Sequence, residues 1–239
     1  MNRRDFLIGG VASVGIPLSG LSRPINSLVA STGEKSETGG GGGWKNPYVT
    51  DGLVAMWDGE WSNGGDGKLI DISGNGYNAT GNFLFDTASV SFTGRGQTDI
   101  DFPYSQMAFV EFVVARGTIS EQMLLIGGGN RYNFAFYGYG GLCRGSGYGS
   151  SVAFAEREIG AAYFDMVNNR RWKNGSELMT TNHDSIGNTF SRMMIGQYNA
   201  SGSYSFNGRW YSVRIHSRIL TADEIAANYT VDKARFNLP

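Results

Sequence analysis

Tyrosines in one alternating stretch of the chain form a pattern that could bind a sugar. The alternation over residues 132–139 places Phe134 and Phe136 on one face of a strand and Tyr137 and Tyr139 on the other. An exposed aromatic ring contacts the C–H groups of a sugar, while flanking polar groups bond its hydroxyls. The alternative is that the tyrosines fill the outer face of a sheet beneath loops. We predict a sugar platform made of Tyr137, Tyr139, Arg144 and Tyr148.

A pair of tryptophans offers the same chemistry nearer the start of the chain. Trp57 and Trp61 flank Asp58, so two indole rings lie close in sequence to a carboxylate that accepts hydrogen bonds from hydroxyls. Trp57 and Trp61 are therefore also predicted ligand-binding residues.

The segment after these tryptophans is rich in acidic and amide side chains, and it could hold a cation. Calcium takes roughly six to eight oxygen ligands from carboxylates, amides and backbone carbonyls. Asp71, Asn75 and Asn78 supply such oxygens, and we predict a calcium site there. The alternative is turn chemistry, in which Asp71 accepts from backbone amides and Asn75-Gly76 adopts positive φ.

Side chains suited to catalysis are few. Glycosidases need two carboxylates facing one cleft, and Glu156 and Glu158 would share a face about 7 Å apart if their segment were extended. The arginine between them favours a solvated edge strand instead. Cys143 is the single cysteine, and His183 and His216 are the two histidines, which excludes a zinc cluster. We predict that the chain is not an enzyme and that calcium is its one candidate cofactor.

The N-terminal residues have the composition of an export signal and a linker. Arg3 and Arg4 precede an uncharged apolar run to about Leu21, and the RRDFL sequence resembles a twin-arginine export signal. The run is shorter than the ~20 residues of a membrane span, so we predict no transmembrane span in the mature chain. We predict a signal peptide at 1–31, a glycine-rich linker at 32–43 and a folded domain at 44–239, exported in bacteria.

Composition favours short strands over helices. Glycine is abundant at 36 residues and proline scarce at 5, and strand candidates recur from Leu53 to His216, enough for two packed antiparallel sheets. The glycine runs at 127–129 and 138–141 are interpreted as turns. A formal charge of −1 gives no electrostatic reason to expect nucleic acid or an anionic membrane as a partner.

Two local patterns predict the elements around the core. Within Met107–Ala115, the face formed by Val110, Phe112 and Val114 is predicted to point into the core. Asn174-Gly175 predicts a two-residue hairpin.

The segment from Phe206 to Tyr229 predicts a strand followed by a helix. Trp210, Ser212, Arg214 and His216 alternate with the other residues of the strand. A capping box of Thr221 and Glu224, with Leu220 stapled onto Ile225, predicts a helix from Ala222.

Five sequence motifs, in the order in which they occur along the chain, resemble those of the laminin-G-like, concanavalin A-like jelly-roll family. They are GLVAMWD near Gly52, DISGNGYNAT from Asp71, the Asn174-Gly175 hairpin, Met194-Ile195-Gly196 and the strand-to-helix ending. The resemblance implies an all-β fold: a two-sheet antiparallel jelly-roll β-sandwich with a short C-terminal α-helix.

The resemblance also narrows the function. Members of this family serve as carbohydrate-binding, adhesive and structural modules, and some relatives are hydrolases. It implies a non-catalytic extracellular module that binds a glycan or another extracellular ligand, a protein included. The alternative is a structural or adhesive protein of a cell surface or a phage particle. A glycoside hydrolase acting through Glu156 and Glu158 is the third reading.

Overall fold

Short antiparallel strands make up most of the regular structure. The computed structural model describes residues 46–118, 123–128, 131–137, 141–144, 151–178, 192–196 and 206–239, all within the unit Gly39–Pro239. One α-helix, α1 (Ala222–Phe236), follows the last strand of these ranges. The strands are β1 (Leu53–Asp58), β2 (Lys68–Leu69), β3 (Ala79–Phe85), β4 (Val90–Thr98), β5 (Phe109–Arg116), β6 (Met123–Gly128), β7 (Arg131–Tyr137), β8 (Gly141–Arg144), β9 (Ser151–Ala153), β10 (Ile159–Asp165), β11 (Arg171–Lys173), β12 (Ser176–Leu178), β13 (Met194–Ile195) and β14 (Gly208–His216).

The strands form two layers that enclose one main core. One layer has the order β12-β11-β10-β5-β14-β1, and the other has the order β2-β3-β4-β13-β6-β7-β8-β9. The two join where Arg209 and Trp210 of β14 pair with β4. Phe112 of β5 meets Phe134 of β7 with ring centroids 4.9 Å apart, although these strands are not hydrogen-bonded neighbours. The predicted all-β sandwich with a C-terminal helix is therefore confirmed.

Strand β5 is buried on both faces. Val110, Phe112 and Val114 point into the main core, as predicted. Phe109 and Val113, on the other face, belong to a second cluster that lies against α1 and includes Ile225 and Phe236. A strand covered on both sides must be apolar almost throughout, and β5 is interrupted by one acid, Glu111.

A β-bulge in β14 changes the face on which its side chains lie. The register shifts between Trp210 and Ser212, and the ring of Trp210 enters the main core with Val213 and Ile215. The simple alternation that placed Trp210 with Ser212 and Arg214 was therefore wrong, because one extra residue in a bulge moves a side chain to the opposite face.

The predicted Asn174-Gly175 hairpin and the predicted cap of the helix are confirmed. Asn174 and Gly175 adopt φ of 48° and 75° in the hairpin between β11 and β12, where a Cβ on the glycine would meet the Tyr229 ring at 2.6 Å. Thr221 and Glu224 form the capping box at the start of α1, and Leu220 and Ile225 share the second cluster.

The glycine-rich regions were predicted less well. Gly127 and Gly128 lie within β6 and Gly141 begins β8, so these positions are strand and not turn. A glycine in a strand contributes no side chain to the alternation, and the period-two signal is lost there. In the described part of the chain, α1 is the only helix of any length, and no helix is long and apolar enough to cross a membrane.

The capping box gives a direct test of how α1 is stabilised. Replacing Thr221 by Ala leaves the backbone amide of Glu224 without its side-chain acceptor, so the free energy of unfolding should fall by about 1 kcal/mol in urea denaturation. Thr230→Ala, the same change at an exposed mid-helix position, is the control and should cost nothing, because Ala is the best helix former. Equal losses in the two variants would contradict the capping role.

Candidate ligand-binding cleft

A small cleft opens where the start of β1 meets the end of β14. Leu53 pairs with His216, and the backbone amide of Ser217 donates to the carbonyl of Gly52 at 2.8 Å. This pairing brings together chain segments that are far apart in sequence. The cleft has a volume of about 270 Å³ and is lined by Gly52, Leu53, Val54, Asn75, Tyr77, Gln106 and Ser217.

The loop between β2 and β3 forms one wall, and Asp71 holds that loop in place. The backbone amides of Met56 and Ser73 both donate to Asp71 Oδ1 at 2.9 Å, and the amide of Tyr77 donates to Oδ2 at 2.9 Å. The Asp71 amide in turn donates to Asn78 Oδ1 at 2.9 Å. A carboxylate that accepts three amides organises the loop around itself.

Asn75 fastens the tip of this loop to β1. Its Nδ2 donates to the carbonyls of Leu53 and Val54 at 3.0 and 2.9 Å. In the described part of the chain, its Oδ1 accepts no hydrogen bond. One amide therefore combines a structural donor with an acceptor that a ligand can use.

Tyr77 supplies an aromatic ring to the cleft. Its ring packs edge-on against Phe102, with centroids 5.0 Å apart, and its carbonyl accepts from the indole of Trp57 at 3.0 Å. Tyr77 is half-buried and is one of the residues that line the cleft. Gln106, on the 3-10 turn Tyr104–Gln106, and Ser217 are both exposed and add an amide and a hydroxyl.

The three residues predicted to bind calcium serve the backbone in this structure. Asp71 accepts from amides, Asn78 accepts from the Asp71 amide, and Asn75 directs its donor group toward carbonyls. The Asp71 contacts are the turn chemistry that the sequence left open as the alternative, and Gly76, but not Asn75, adopts positive φ. No cluster of three or more His, Cys, Asp or Glu side chains suited to a metal occurs in the described ranges. Calcium binding by Asp71 and its two asparagines stays a prediction.

The predicted aromatic platforms have different outcomes. Trp57 is 1% exposed and packs in the main core, so it offers no ring face to a ligand, and this prediction was wrong. A strand buried on both sides cannot be distinguished from a half-exposed one by a short apolar run.

Trp61 is half-buried, and the Arg235 guanidinium lies over its ring, 3.6 Å from the centroid. Tyr139 and Tyr148 lie outside the described residues, as do the side chains of Tyr137 and Arg144.

Arg235 belongs to a polar cluster at the end of α1. Its guanidinium contacts both carboxylate oxygens of Asp58 at 2.8 and 3.0 Å, and Glu60 at 2.9 Å. Burial would lower the pKa of this guanidinium, but hydrogen bonds to Asp58 and the nearby Tyr48 raise it above its ordinary value. The Asp58 carboxylate, which the sequence analysis placed between the two tryptophans, therefore forms an ion pair with Arg235.

The pair Glu156 and Glu158 does not lie on the extended strand assumed in the sequence analysis. Glu156 lies in a turn in which Arg157 has φ of 62°, so the extended strand that would put both acids on one face is absent there. Thr118 donates to Glu156 at 2.8 Å, and Glu158 forms an ion pair with Lys173 at 2.7 Å. Both carboxylates therefore have structural partners.

A buried ionic cluster supports the β14 side of the cleft. Arg214 contacts Glu111 at 2.9 Å and binds Asp232 of α1 through two bonds of 2.9 and 2.6 Å. His216 and Asn228 also contact Glu111, at 2.8 and 2.9 Å. These five side chains are at most 1% exposed. Because His216 precedes Ser217 in the chain, the cluster fixes one wall of the cleft.

The charge on Glu111 depends on its partners. Burial would raise the pKa of this carboxyl, but Arg214 and the hydrogen bond from His216 outweigh burial and lower its pKa from 4.5 to about 2. A carboxyl whose folded pKa lies below its unfolded value stabilises the fold above about pH 4.5. That contribution is lost as the pH falls toward 2.

Comparisons with known proteins bear on the fold. No protein-family model and no curated protein match the chain. A sialidase of Trypanosoma rangeli, solved with sialic acid, superposes with a TM-score of 0.58 and 12% identity over 76% of this chain, which spans 33% of the sialidase. Domain 4 of an extracellular arabinanase from Geobacillus stearothermophilus, solved with arabinotriose, gives a TM-score of 0.57 and 16% identity over 74% of this chain and 98% of that domain. The binding domain of Botulinum neurotoxin DC, solved with rat synaptotagmin II, superposes with a TM-score of 0.53 and 14% identity. The match covers 77% of this chain and 52% of the toxin chain.

These neighbours overturn the prediction that the chain is not an enzyme. Sialidases and the arabinanase are glycoside hydrolases, so the fold is found in chains that belong to enzymes. At 12–16% identity the likeness shows the fold alone and assigns no catalytic residue to this chain.

Sequence reasoning missed most of the cleft. Tyr77 lies inside the loop predicted to bind calcium, and its aromatic side chain was the available signal. Gln106 and Ser217 carry no local signal, because the pairing of β1 with β14 brings them to the loop.

Asp71→Ala tests the turn chemistry of the loop. Three amides lose their acceptor, so the free energy of unfolding measured with a calcium chelator should fall by about 1–3 kcal/mol. Asp101→Ala, at an exposed position, is the control and should change stability by less than ~0.5 kcal/mol. A loss for Asp71→Ala that occurs only when calcium is present would instead support the calcium site.

Acid titration tests the Glu111 cluster. Between pH 4.5 and 2 the unfolding free energy of the wild type should fall more steeply than that of Glu111→Gln, by up to ~1.4 kcal/mol per pH unit. Urea denaturation at a series of pH values measures both slopes, and Asp101→Asn should follow the wild type. Parallel curves for wild type and Glu111→Gln would show that the carboxylate is not stabilised in this way.

Proposed function

We propose that this chain is a glycan-recognition domain and that the cleft beside β1 binds the sugar. The observation that carries the proposal is the Tyr77 ring, half-buried at the side of a small polar cleft among the amides of Asn75 and Gln106. A sugar ring presents an apolar C–H face and a rim of hydroxyls, and this set of groups complements both.

The size of the cleft suits a small ligand. Its volume of about 270 Å³ lies just below the roughly 300–1,000 Å³ of pockets that enclose drug-sized molecules. The Asp71 loop is held to β1 and does not depend on a ligand for its hydrogen bonds. A preformed site loses less conformational entropy on binding.

The structural neighbours support this proposal without defining the ligand. One is a domain solved with arabinotriose and another is a sialidase solved with sialic acid, so glycans are bound by proteins that share the fold. The toxin binding domain was solved with synaptotagmin, which makes a protein partner the alternative. A structural or adhesive role without sugar specificity, on a cell surface or a phage particle, belongs to the same alternative.

We also propose that the domain is exported and belongs to the laminin-G-like family. Support comes from the RRDFL sequence and the apolar run at the N-terminus, and from the order of motifs between Gly52 and Tyr229. Residues 1–45 lie outside the described part of the chain. N-terminal sequencing of the protein recovered from the medium or periplasm tests export, and processing near residue 31 is the expected result.

The glycan proposal is tested by applying the full chain to a broad glycan array, with calcium and with chelator. Binding should be found and should weaken about tenfold or more in Tyr77→Ala, since full burial of an aromatic side chain contributes roughly 1.5–3 kcal/mol. Gln106→Ala, at an exposed position that leaves the core intact, should also weaken it. Calcium-dependent binding would in addition support the predicted cation.

Tyr211→Ala is the matched control for the ring. Tyr211 is also half-buried but packs against Phe236 in the cluster beneath α1, away from the cleft. Binding should survive this change while thermal melting reports any loss of stability. Equal losses of binding in both tyrosine variants would contradict the cleft as the site. An array without signal would contradict the glycan proposal and favour a protein partner.

A further inference from the structure

We infer that the ligand of this cleft is an uncharged saccharide and that acidic sugars, such as those carrying a sialic acid carboxylate, are excluded. The inference rests on the proposed function, because it concerns which glycans the same cleft accepts. It follows from the charge of the described cleft wall and from the partners of Arg218, a cation beside that wall.

Among the residues that the structure describes, none with a charged side chain lines the cleft. Its polar side chains are the neutral groups of Asn75, Tyr77, Gln106 and Ser217, and the others are glycine and apolar residues. The Asn75 Nδ2 that could donate to an anion is already bonded to the carbonyls of Leu53 and Val54. The oxygen it leaves for a ligand accepts hydrogen bonds and repels a carboxylate.

Arg218 lies beside the cleft, but its guanidinium is already paired with two carboxylates. Its side chain packs against Gly52, which has φ of 72° and at which a Cβ would meet Arg218 Cγ at 2.9 Å. Its guanidinium binds Glu224 through bonds of 2.8 and 2.5 Å and forms an ion pair with Asp51 at 2.7 Å. Two carboxylates therefore neutralise this cation.

Releasing Arg218 to meet an acidic ligand would also disrupt α1. Glu224 is the acid of the capping box, and its Oε2 accepts from the Thr221 amide at 2.8 Å. The hydrogen bond from Arg218, with help from that amide, lowers the pKa of Glu224 to about 2, so it stays ionised. Asp51, whose side chain is 81% exposed next to Gly52, adds negative charge at the rim.

A carboxylate entering this cleft would exchange water for neutral side chains, none of which carries a compensating positive charge. A charge that loses its hydration without gaining a partner is strongly disfavoured, and a like charge at the rim adds repulsion. Hydroxyls, which both donate and accept, pair with amide and hydroxyl groups without that penalty. We therefore expect the cleft to favour neutral over acidic sugars, because the described residues offer no unpaired cation to a carboxylate.

The test compares glycans presented in pairs with and without a terminal sialic acid, using the full chain. We expect the neutral member of each pair to bind and the acidic member to bind about tenfold or more weakly. Affinity for the neutral member should change by less than about twofold when NaCl is raised from low to high concentration, because no charge is being screened. Preference for the acidic members, with affinity that falls in salt, would overturn the inference while leaving a glycan function standing. Binding of neither member would contradict the proposed function itself.

A charge-introducing variant locates the selectivity in the cleft. Gln106→Arg adds an unpaired guanidinium at an exposed position, so the ratio of acidic to neutral binding should rise at least about threefold. Ser105→Arg, at the neighbouring exposed position that is not part of the cleft wall, is the control and should leave the ratio unchanged. Equal responses in the two variants would overturn the assignment of this selectivity to the cleft.

Discussion

The guanidinium of Arg214 joins the sheet to the helix, and the surrounding structure is arranged to satisfy it. It contacts Glu111 on the neighbouring strand and Asp232 on α1, and the Tyr48 ring lies over it with 3.9 Å from ring centroid to guanidinium carbon. Burying these charges is costly, and replacing the whole set by apolar residues could be neutral for stability. Removing one partner is different, because it leaves an unpaired charge and typically costs about 3–5 kcal/mol. The cluster thus fixes the position of α1 against the sheet. The end of β14, at His216, leads directly to Ser217 in the cleft wall.

The bulge in β14 makes this arrangement possible. A strict alternation would put Trp210 on the same face as Arg214, where a large indole would compete with the ionic cluster for space. The extra residue sends Trp210 into the main core, where it meets Phe92 with centroids 5.0 Å apart, and leaves the polar side chains facing α1. One irregularity in the ladder therefore separates an apolar layer from an ionic one along a single strand.

The sequence predicted those parts of the fold that depend on neighbours in the chain. The capping box of α1, the Asn174-Gly175 hairpin and the core face of β5 follow from patterns a few residues long, and each is confirmed. Trp57 was predicted wrongly because burial on its second face comes from a distant part of the chain. The cleft has the same origin, since Gln106 and Ser217 reach the Asp71 loop only through strand pairing. A signal for the ionic cluster did exist: one acid, Glu111, within an otherwise apolar strand requires a buried partner.

The position of β14 in the sandwich affects how the chain reaches this structure. Among the described strands β1 is the first and β14 the last, and they pair with each other, while β14 also pairs with β4 and β5. The sheet therefore cannot close around its core until the segment Gly208–His216 has left the ribosome, and the loop closed by this pairing spans most of the domain. Strands β1 and β5 are therefore synthesised well before the partner strand that covers their edges, so their apolar side chains stay incompletely buried until β14 is made.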